Sequence, residues 1–497
     1  MQNRTPRIGV MGIMQELYDD MLPGITERQG RYLDALAAAL GGVAECVVEP
    51  PARNRDDIER VMREYEYQRL DGVLIVMLTY GPGQRVARAL GQTRLPLCLA
   101  NVQPEPHVTA AWDMADMTYN QGIHGAQDTA NALVRAGATF DVVTEDWQSD
   151  AFRERVGRWA RAAAAVTAWR RLKVAQVGYA MNDMGDIRFD EGALLRSLGP
   201  SITVIAPGEL HRATVAVSAA EVAEAIAFED ERFDVDPRLS AAEREDHVRM
   251  QVALERLLEA RGCEAFSTHF DAIGEDGRFA RLPFAAASSL MAKGYGFAGE
   301  GDMLTAALVR AGHVLIGDAH FTEMYAMDFP SDSVLMSHMG EGNWRIARDD
   351  RPVRLIKRPI AIGGLDDPPT FLFEYQPGPA TLATLVSLGG ESFRLVVCEG
   401  ENLDGPELPG LEMPYGHFRP DVGVRACLDA WLRLGGPHHQ VMNLGRHGDD
   451  WRAFCEQAGV EFALIDTELA AQQLRGRPPA ETSKRANGAP SHADGVR

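Results

Sequence analysis

Residues 294–342 read GYGFAGEGDMLTAALVRAGHVLIGDAHFTEMYAMDFPSDSVLMSHMGEG, and the character of the chain changes inside this stretch. Its first half joins a glycine-rich turn to a helical pattern from Met303 to Ala311. From about residue 319 the chain passes into strand-like pieces separated by turn signals, with no helices between them. Three side chains stand out by position. Glu300 follows the glycine turn and precedes the helix, Glu323 sits in a short aromatic-flanked segment, and His338 closes the apolar run Val334-Leu335-Met336. Two carboxylates and an imidazole converging from the edges of elements suit a hard or borderline divalent metal such as Mn²⁺ or Mg²⁺. Three ligands do not fill such a site, and the downstream pair His438-His439 offers a fourth.

Upstream of this stretch, apolar runs of four to eight residues alternate with helical patterns. Arg7–Gly12, Val43–Val48, Gly72–Met77 and Leu95–Ala100 read as buried strands, with helices over Gln29–Leu40, Asp56–Tyr67 and Gly83–Leu90. That alternation implies parallel strands with crossover helices, a doubly wound sheet. Ligands of such sheets bind beyond the carboxyl ends of the strands, here Gln15-Glu16-Leu17-Tyr18, Leu78-Thr79-Tyr80 and Asn101. A long Ala/Arg-rich helix, Asp150–Arg171, leads to a second set of the same kind. It opens with the strand Lys173–Gly178 and continues through the loop MNDMGD, helices Ala219–Phe228 and Glu243–Ala260, and the strand Cys263–Ser267.

Downstream, Val353–Ile362, Phe371–Tyr375, Ala383–Leu388 and Phe393–Glu399 read as strands of an antiparallel barrel or sandwich. The helix Val424–Leu434 and a final unit, Asp449–Ala458 then Phe462–Ile465, close the fold. The expectation is an α/β protein: two doubly wound parallel-sheet domains, 1–172 and 173–318, then an antiparallel β-rich, barrel-like domain over 319–474. The polar, Pro/Gly/Ala-rich residues 475–497 read as a disordered tail.

Composition excludes several classes. A net charge of −21 over 497 residues argues against nucleic acid, which needs a basic face. No run of about 18 apolar residues is present, so no membrane span is expected. The N-terminus enters a strand directly and lacks the apolar core of a signal peptide. Six scattered cysteines without CxxC spacing read as reduced, mostly buried thiols of a cytoplasmic protein.

The segment Gly294–Gly299 matches GxGxxG, but a helical pattern, Leu282–Lys293, precedes it where a dinucleotide site requires a strand. The glycines read instead as a bend that aims Glu300. Taken singly, Glu300 is also an ordinary helix N-terminal acid, and His338 an ordinary strand-end histidine. In the extended segment Gly435–Gln440, adjacent side chains point opposite ways, so one of His438 and His439 faces a metal and the other packs or meets substrate. His447 and, more weakly, His417 compete for the fourth position. His124 and Phe270 taken alone read as a helix-capping and a core residue, and Asp271, Glu275 and Asp276 as a solvated acidic turn.

Several motifs in the same order resemble the L-arabinose isomerase family. They are GYGFAGEGD with TAALVR, the downstream Glu323, Ser337-His338-Met339, GGPHH, Gln15-Glu16-Leu17-Tyr18, Asn120-Gln121 with His124-Gly125, Asn182-Asp183-Met184, and Thr268-His269-Phe270. The resemblance covers the chain to about residue 470. It implies a three-domain subunit, an assembly of hexamers with sites between neighbours, and an aldose–ketose isomerase using Mn²⁺, or Co²⁺ or Mg²⁺ in its place. It further implies L-arabinose to L-ribulose conversion through a cis-enediol. Glu300, Glu323, His338 and His439 are then the metal ligands, with Glu300 and Glu323 the catalytic acid and base. Gln15, Leu17, His124, Met184 and Phe270 are then residues of the sugar pocket.

The chain departs from the family pattern at Ile13-Met14, at Met324 and after His338, where Met339-Gly340-Glu341-Gly342-Asn343-Trp344 replaces the usual MLEVCP. Those changes leave open another aldose, such as L-fucose, D-arabinose or D-galactose; because doubly wound domains also serve as binding modules, a non-catalytic sugar binder is a further alternative.

Overall fold

The computed structural model describes residues 4–360 and 362–474; the expected tail 475–497 lies outside the described residues. Strands β1 (Arg7–Ile13), β2 (Glu45–Val48), β3 (Gly72–Met77), β4 (Leu97–Asn101) and β5 (Asp141–Thr144) form one parallel sheet in the order β2-β1-β3-β4-β5. Every residue of β3, Gly-Val-Leu-Ile-Val-Met, is buried. Helices cover both faces of a parallel sheet, so its central strand shows no polar alternation.

A second parallel sheet holds β6 (Lys173–Val177), β7 (Ser201–Ile205), β9 (Ala265–Thr268) and β10 (Gly296–Ala298), ordered β10-β9-β6-β7. The short β8 (Asp234–Val235) leaves this sheet and joins β13 (Arg354–Lys357) and β14 (Pro369–Leu372) in a small three-stranded one. The strand expected over Val353–Ile362 is thus shorter, ending before Pro359, which has no N–H for a ladder.

The last part is an antiparallel barrel. β11 (Ala319–Asp328), β12 (Ser333–Ser337), β15 (Gly378–Ser387), β16 (Phe393–Leu403), β17 (Tyr415–Pro420) and β18 (His439–Leu444) run in the order β15-β18-β11-β12-β17-β16. The β15–β16 pairing closes the ring. β19 (Glu461–Leu464) adds a parallel strand outside β16. Closure leaves the six strands without an open edge.

The helix Asp150–Arg170 ties the parts together. Ser149 caps it, accepting from the Phe152 N–H at 3.1 Å. Phe152, Val156, Trp159 and Ala163 pack into the first-sheet core, whereas Ala162, Ala165, Val166 and Trp169 join the core around the second sheet. Its small residues let the helices Met303–Leu315 and Gly448–Ala458 pack against it.

Five of the six cysteines are buried and all are free thiols. Among the described residues, no helix is long and apolar enough to cross a membrane.

At the contact between β5 and the helix Gly448–Ala458, Asp141 accepts from Gln457 at 3.1 Å. Burial, with Glu456 nearby, raises its carboxyl to about 6. Between pH 4 and pH 6 the folded state therefore holds more protons than the unfolded one, and stability falls as pH rises. Asp141→Asn is expected to remove this slope and stabilise the protein at pH 7 by on the order of 1 kcal/mol after solvent screening. Thermal unfolding followed across pH 4–8 measures both.

Candidate functional site

β10 ends at Ala298, and the chain reverses over Gly299-Glu300-Gly301 into the helix Met303–Leu315. The bend falls on Glu300 itself, at φ 62°, and on Gly301, at φ 80°. A left-handed glutamate is a sparsely populated conformation that its surroundings must impose. Here the Met181 N–H donates to the Glu300 carbonyl at 2.8 Å and the Gly301 N–H to Thr268 at 3.3 Å. A Cβ at Gly301 would run into the Ala180 backbone, so glycine is required there. This refines the expected role of the glycine motif. Gly296 lies inside β10 and Gly294 closes the preceding helix, so neither makes the bend.

The barrel supplies the remaining groups. Glu323 on β11 pairs in register with His439, the first residue of β18. The His439 Nε2 lies 3.0 Å from Glu300 Oε2 and 3.2 Å from Glu323 Oε1. The His438 Nε2 lies 3.6 and 3.7 Å from the same two carboxylates. One ligand atom from each of Glu300, Glu323, His438 and His439 falls within 4.8 Å of all the others. Both histidines thus face the carboxylates, against the expectation that one would turn away. His438 precedes β18, outside the strand's alternation, and its ring lies 4.0 Å from that of His439.

His338 stands just outside that group of four. Its ring centroid is 6.3 Å from that of His439, and the Phe321 ring packs against both, at 4.5 and 4.9 Å. Its Nδ1 lies 2.9 Å from Glu341. His447 is held by Asp450 at 2.9 Å and by the Leu444 carbonyl at 3.0 Å, and His417 lies by the Pro406 carbonyl.

Two of the three imidazoles share Nδ1 with a carboxylate, Asp302 for His439 at 2.8 Å and Asp186 for His438 at 2.6 Å, whereas Glu341 approaches the His338 Nδ1 without a hydrogen bond. A carboxylate accepts, so it holds the Nδ1–H, and when the ring gives up its other proton the Nε2 lone pair is the one turned toward the centre. This carboxylate–imidazole arrangement is the usual support of a metal-binding histidine. Asp302 also caps the helix, accepting from the Thr305 N–H at 2.9 Å, so one side chain fixes both helix and ring.

The charges agree with the geometry. Burial pushes the Glu300 carboxyl up, yet His438 and His439 hold it well below the usual carboxylate range. Burial likewise opposes ionisation of Glu323, and His338 and His439 outweigh it. Burial lowers His438, but Asp186 and Glu300 raise it to about 9. Two ionised glutamates are therefore compensated by cationic rings. Despite their approach, Glu300 Oε2 and His439 Nε2 make no hydrogen bond to any partner. Buried polar atoms without a partner are exceptional. A carboxylate–imidazole set aimed at one point fits a divalent cation.

The expected sugar-pocket residues fall at the carboxyl ends of the two sheets. Gln15 and the exposed Leu17 follow β1, and His124 is in the first turn of the helix Gly122–Arg135. Met184 lies in the loop after β6, and Phe270 begins the helix after β9. Among the described residues, no hydrogen bond or ion pair joins Gln15, Leu17 or His124 to the Glu300 group.

Sequence reasoning missed Asp186, Asp302, Glu341 and His269. Asp302 carried a signal, an aspartate directly before a helical pattern, and His269 stood in the motif Thr268-His269-Phe270; Asp186 and Glu341 carried none. His269, buried at the end of β9, has hydrogen-bond partners for neither ring nitrogen.

Comparison with known proteins follows the same three divisions. Models described as the L-arabinose isomerase N-terminal, central and C-terminal domains match residues 8–171, 173–318 and 318–461. The L-arabinose isomerases of Klebsiella pneumoniae (strain 342) and Serratia proteamaculans (strain 568) are each 30% identical over 471 residues. These alignments cover 91% of this chain and 93% of each relative. That of Yersinia pseudotuberculosis serotype O:1b (strain IP 31758) is 30% identical over 472 residues, with the same coverage.

If Asp302 orients His439 toward a divalent cation, Asp302→Asn lowers the affinity for that cation by roughly 10–100-fold while the circular dichroism spectrum is unchanged. Calorimetric titration of the metal-stripped protein measures this; unchanged affinity would remove the orienting role.

Proposed function

The chain belongs to the L-arabinose isomerase family and is an aldose–ketose isomerase, and we propose that it interconverts L-arabinose and L-ribulose through a cis-enediol. The observation that carries this reading is the meeting of Glu300 and Glu323, two half-buried carboxylates from different parts of the fold, with imidazoles between them. Aldose–ketose isomerisation moves one proton from C2 to C1 and another between the two oxygens. Two carboxylates supply that division of labour: one takes the C2 proton and returns it at C1, and the other moves the proton between the oxygens.

The ligand set in this reading is Glu300, Glu323, His338 and His439. Distance favours His438 over His338, but burial favours the reverse. His338 and His439 are buried and backed by the buried Glu341 and Asp302, whereas the side chains of His438 and Asp186 are 37% and 38% exposed. Exposure suits His438 to the substrate side of the cleft. A divalent cation bound there, Mn²⁺ in this reading, supplies Lewis-acid polarisation of the sugar oxygens. The protein's own part is to hold two carboxylates ionised and aligned, so the proton transfers begin from fixed geometry.

Met184 and Phe270 complete the pocket from the central sheet. Gln15, Leu17 and His124 are presented outward on the first sheet, and in this reading they meet the site of a neighbouring copy in a homo-oligomer, a hexamer. The 51% exposure of Leu17, with Met21 and Ile123 exposed on the same two helices, supports a partner surface there.

Purified protein supplied with Mn²⁺ is expected to form L-ribulose, with kcat/KM for L-arabinose above that for L-fucose, D-arabinose and D-galactose. A clear preference for another aldose reassigns the substrate; no turnover of any aldose contradicts the reading. Glu300→Gln and Glu323→Gln should each lower kcat by on the order of 10²–10⁴ without unfolding the protein. His338→Asn and His439→Asn should weaken Mn²⁺ binding, and His438→Asn should raise KM. If His438→Asn gives the metal defect and His338→Asn does not, the fourth ligand is His438.

A further inference from the structure

At the opposite end of the central sheet, where β6 begins, lies a cavity of about 380 Å³ that the isomerase chemistry does not use. Arg4, Arg171, Lys173 and Arg310 line it, against one carboxylate, Glu264. In a chain of net charge −21, four cations around one cavity run against the overall balance. Two of them are already paired: Arg4 with Asp71, at 2.7 and 2.5 Å, and Arg310 with Glu264, at 2.9 and 2.7 Å. Arg171 and Lys173 have no ion-pair partner among the described residues. Desolvation and the neighbouring Arg69 and Arg4 push the Arg171 guanidinium down and outweigh the opposing pull of Asp71.

A second observation points to a ligand. His313, 4% exposed, also lines the cavity. Its Nδ1 accepts the Ala319 N–H at 3.3 Å, so the ring proton resides on Nε2. That Nε2–H has no hydrogen-bond partner. Burial pushes the imidazole down to about 3, so it is a neutral donor at physiological pH. A buried donor without an acceptor, beside two unpaired cations, is a site short of an anion.

We infer that this cavity binds a phosphate group, free or at the end of a small phosphomonoester, through Arg171, Lys173 and the His313 Nε2–H. A guanidinium fork and an ammonium together match the charge and oxygen geometry of a phosphate dianion better than those of a single carboxylate. The volume lies within the range of roughly 300–1,000 Å³ typical of small-molecule sites, which leaves room for a short organic group behind the phosphate.

Calorimetric titration of the full chain at low ionic strength tests this, with glycerol 3-phosphate and inorganic phosphate as probes and glycerol as the uncharged control. The expected result is one saturable site per chain for at least one phosphate probe and none for glycerol. The double substitution Arg171→Ala with Lys173→Ala should weaken binding at least about 10-fold and leave sugar isomerisation unchanged. His313→Leu should weaken it as well; because that ring is buried and its loss could disturb folding, the exposed double variant carries the test. Tighter binding of glycerol 3-phosphate assigns the cavity to a phosphomonoester, and tighter binding of inorganic phosphate assigns it to the free ion. No saturable binding below about 10 mM, or equal binding by the double variant, overturns the proposal.

Discussion

Two half-buried carboxylates held side by side repel each other unless positive charge stands between them, and the fold around Glu300 and Glu323 is arranged to keep both ionised. Glu300 is forced into a left-handed turn at the end of β10, and Glu323 projects from a barrel strand opposite His439. The imidazoles of His438 and His439 bring the compensating charge, and Asp302 and Asp186 hold those rings. Had the carboxylates been paired with arginine, the site would be closed to a metal and to substrate. Imidazole can release its proton to solvent when a metal cation takes the lone pair, and so keeps the site open.

This geometry needs two units of the chain at once. Asp302 starts a helix of the central α/β region, His439 starts a barrel strand, and their 2.8 Å hydrogen bond joins the two. The helix Met303–Leu315 packs on Asp150–Arg170, whose alanine-rich face allows close approach, so the long helix stabilises the platform from which Glu300 is presented. The first sheet contributes differently: its strand order β2-β1-β3-β4-β5 opens a crevice beyond β1 and β3, where Gln15, Leu17 and Thr79 lie.

The elements that local pattern determines were legible in the sequence. The strand Gly72–Met77 and the helix Val424–Leu434 coincide with their expected bounds, and the long helix ends one residue before its expected limit, Arg171. The change from α/β alternation to antiparallel strands near residue 319 is where β11 begins. Elements that depend on distant partners were not legible. β10 is three residues long, too short for a period, and exists because β9 lies beside it. β8 belongs to a sheet formed with β13, more than a hundred residues away. In the site, Glu300, Glu323 and His439 could be found by residue type and resemblance. The second histidine of the pair was misjudged because the alternation rule was applied one residue before the strand starts. Asp186 and Glu341 gave no sign, since an acid in a loop looks the same whether it meets solvent or holds a ring.

Glu300, Glu323 and His439 are arranged to hold one divalent cation between the helix platform and the barrel. Anomalous diffraction from crystals of the protein grown with Mn²⁺ tests this most directly. One strong peak per chain is expected, roughly 2 Å from a carboxylate oxygen of Glu300, one of Glu323 and the Nε2 of His439. A Mn²⁺ peak bound elsewhere, with this site free of metal in a catalytically active protein, would contradict it.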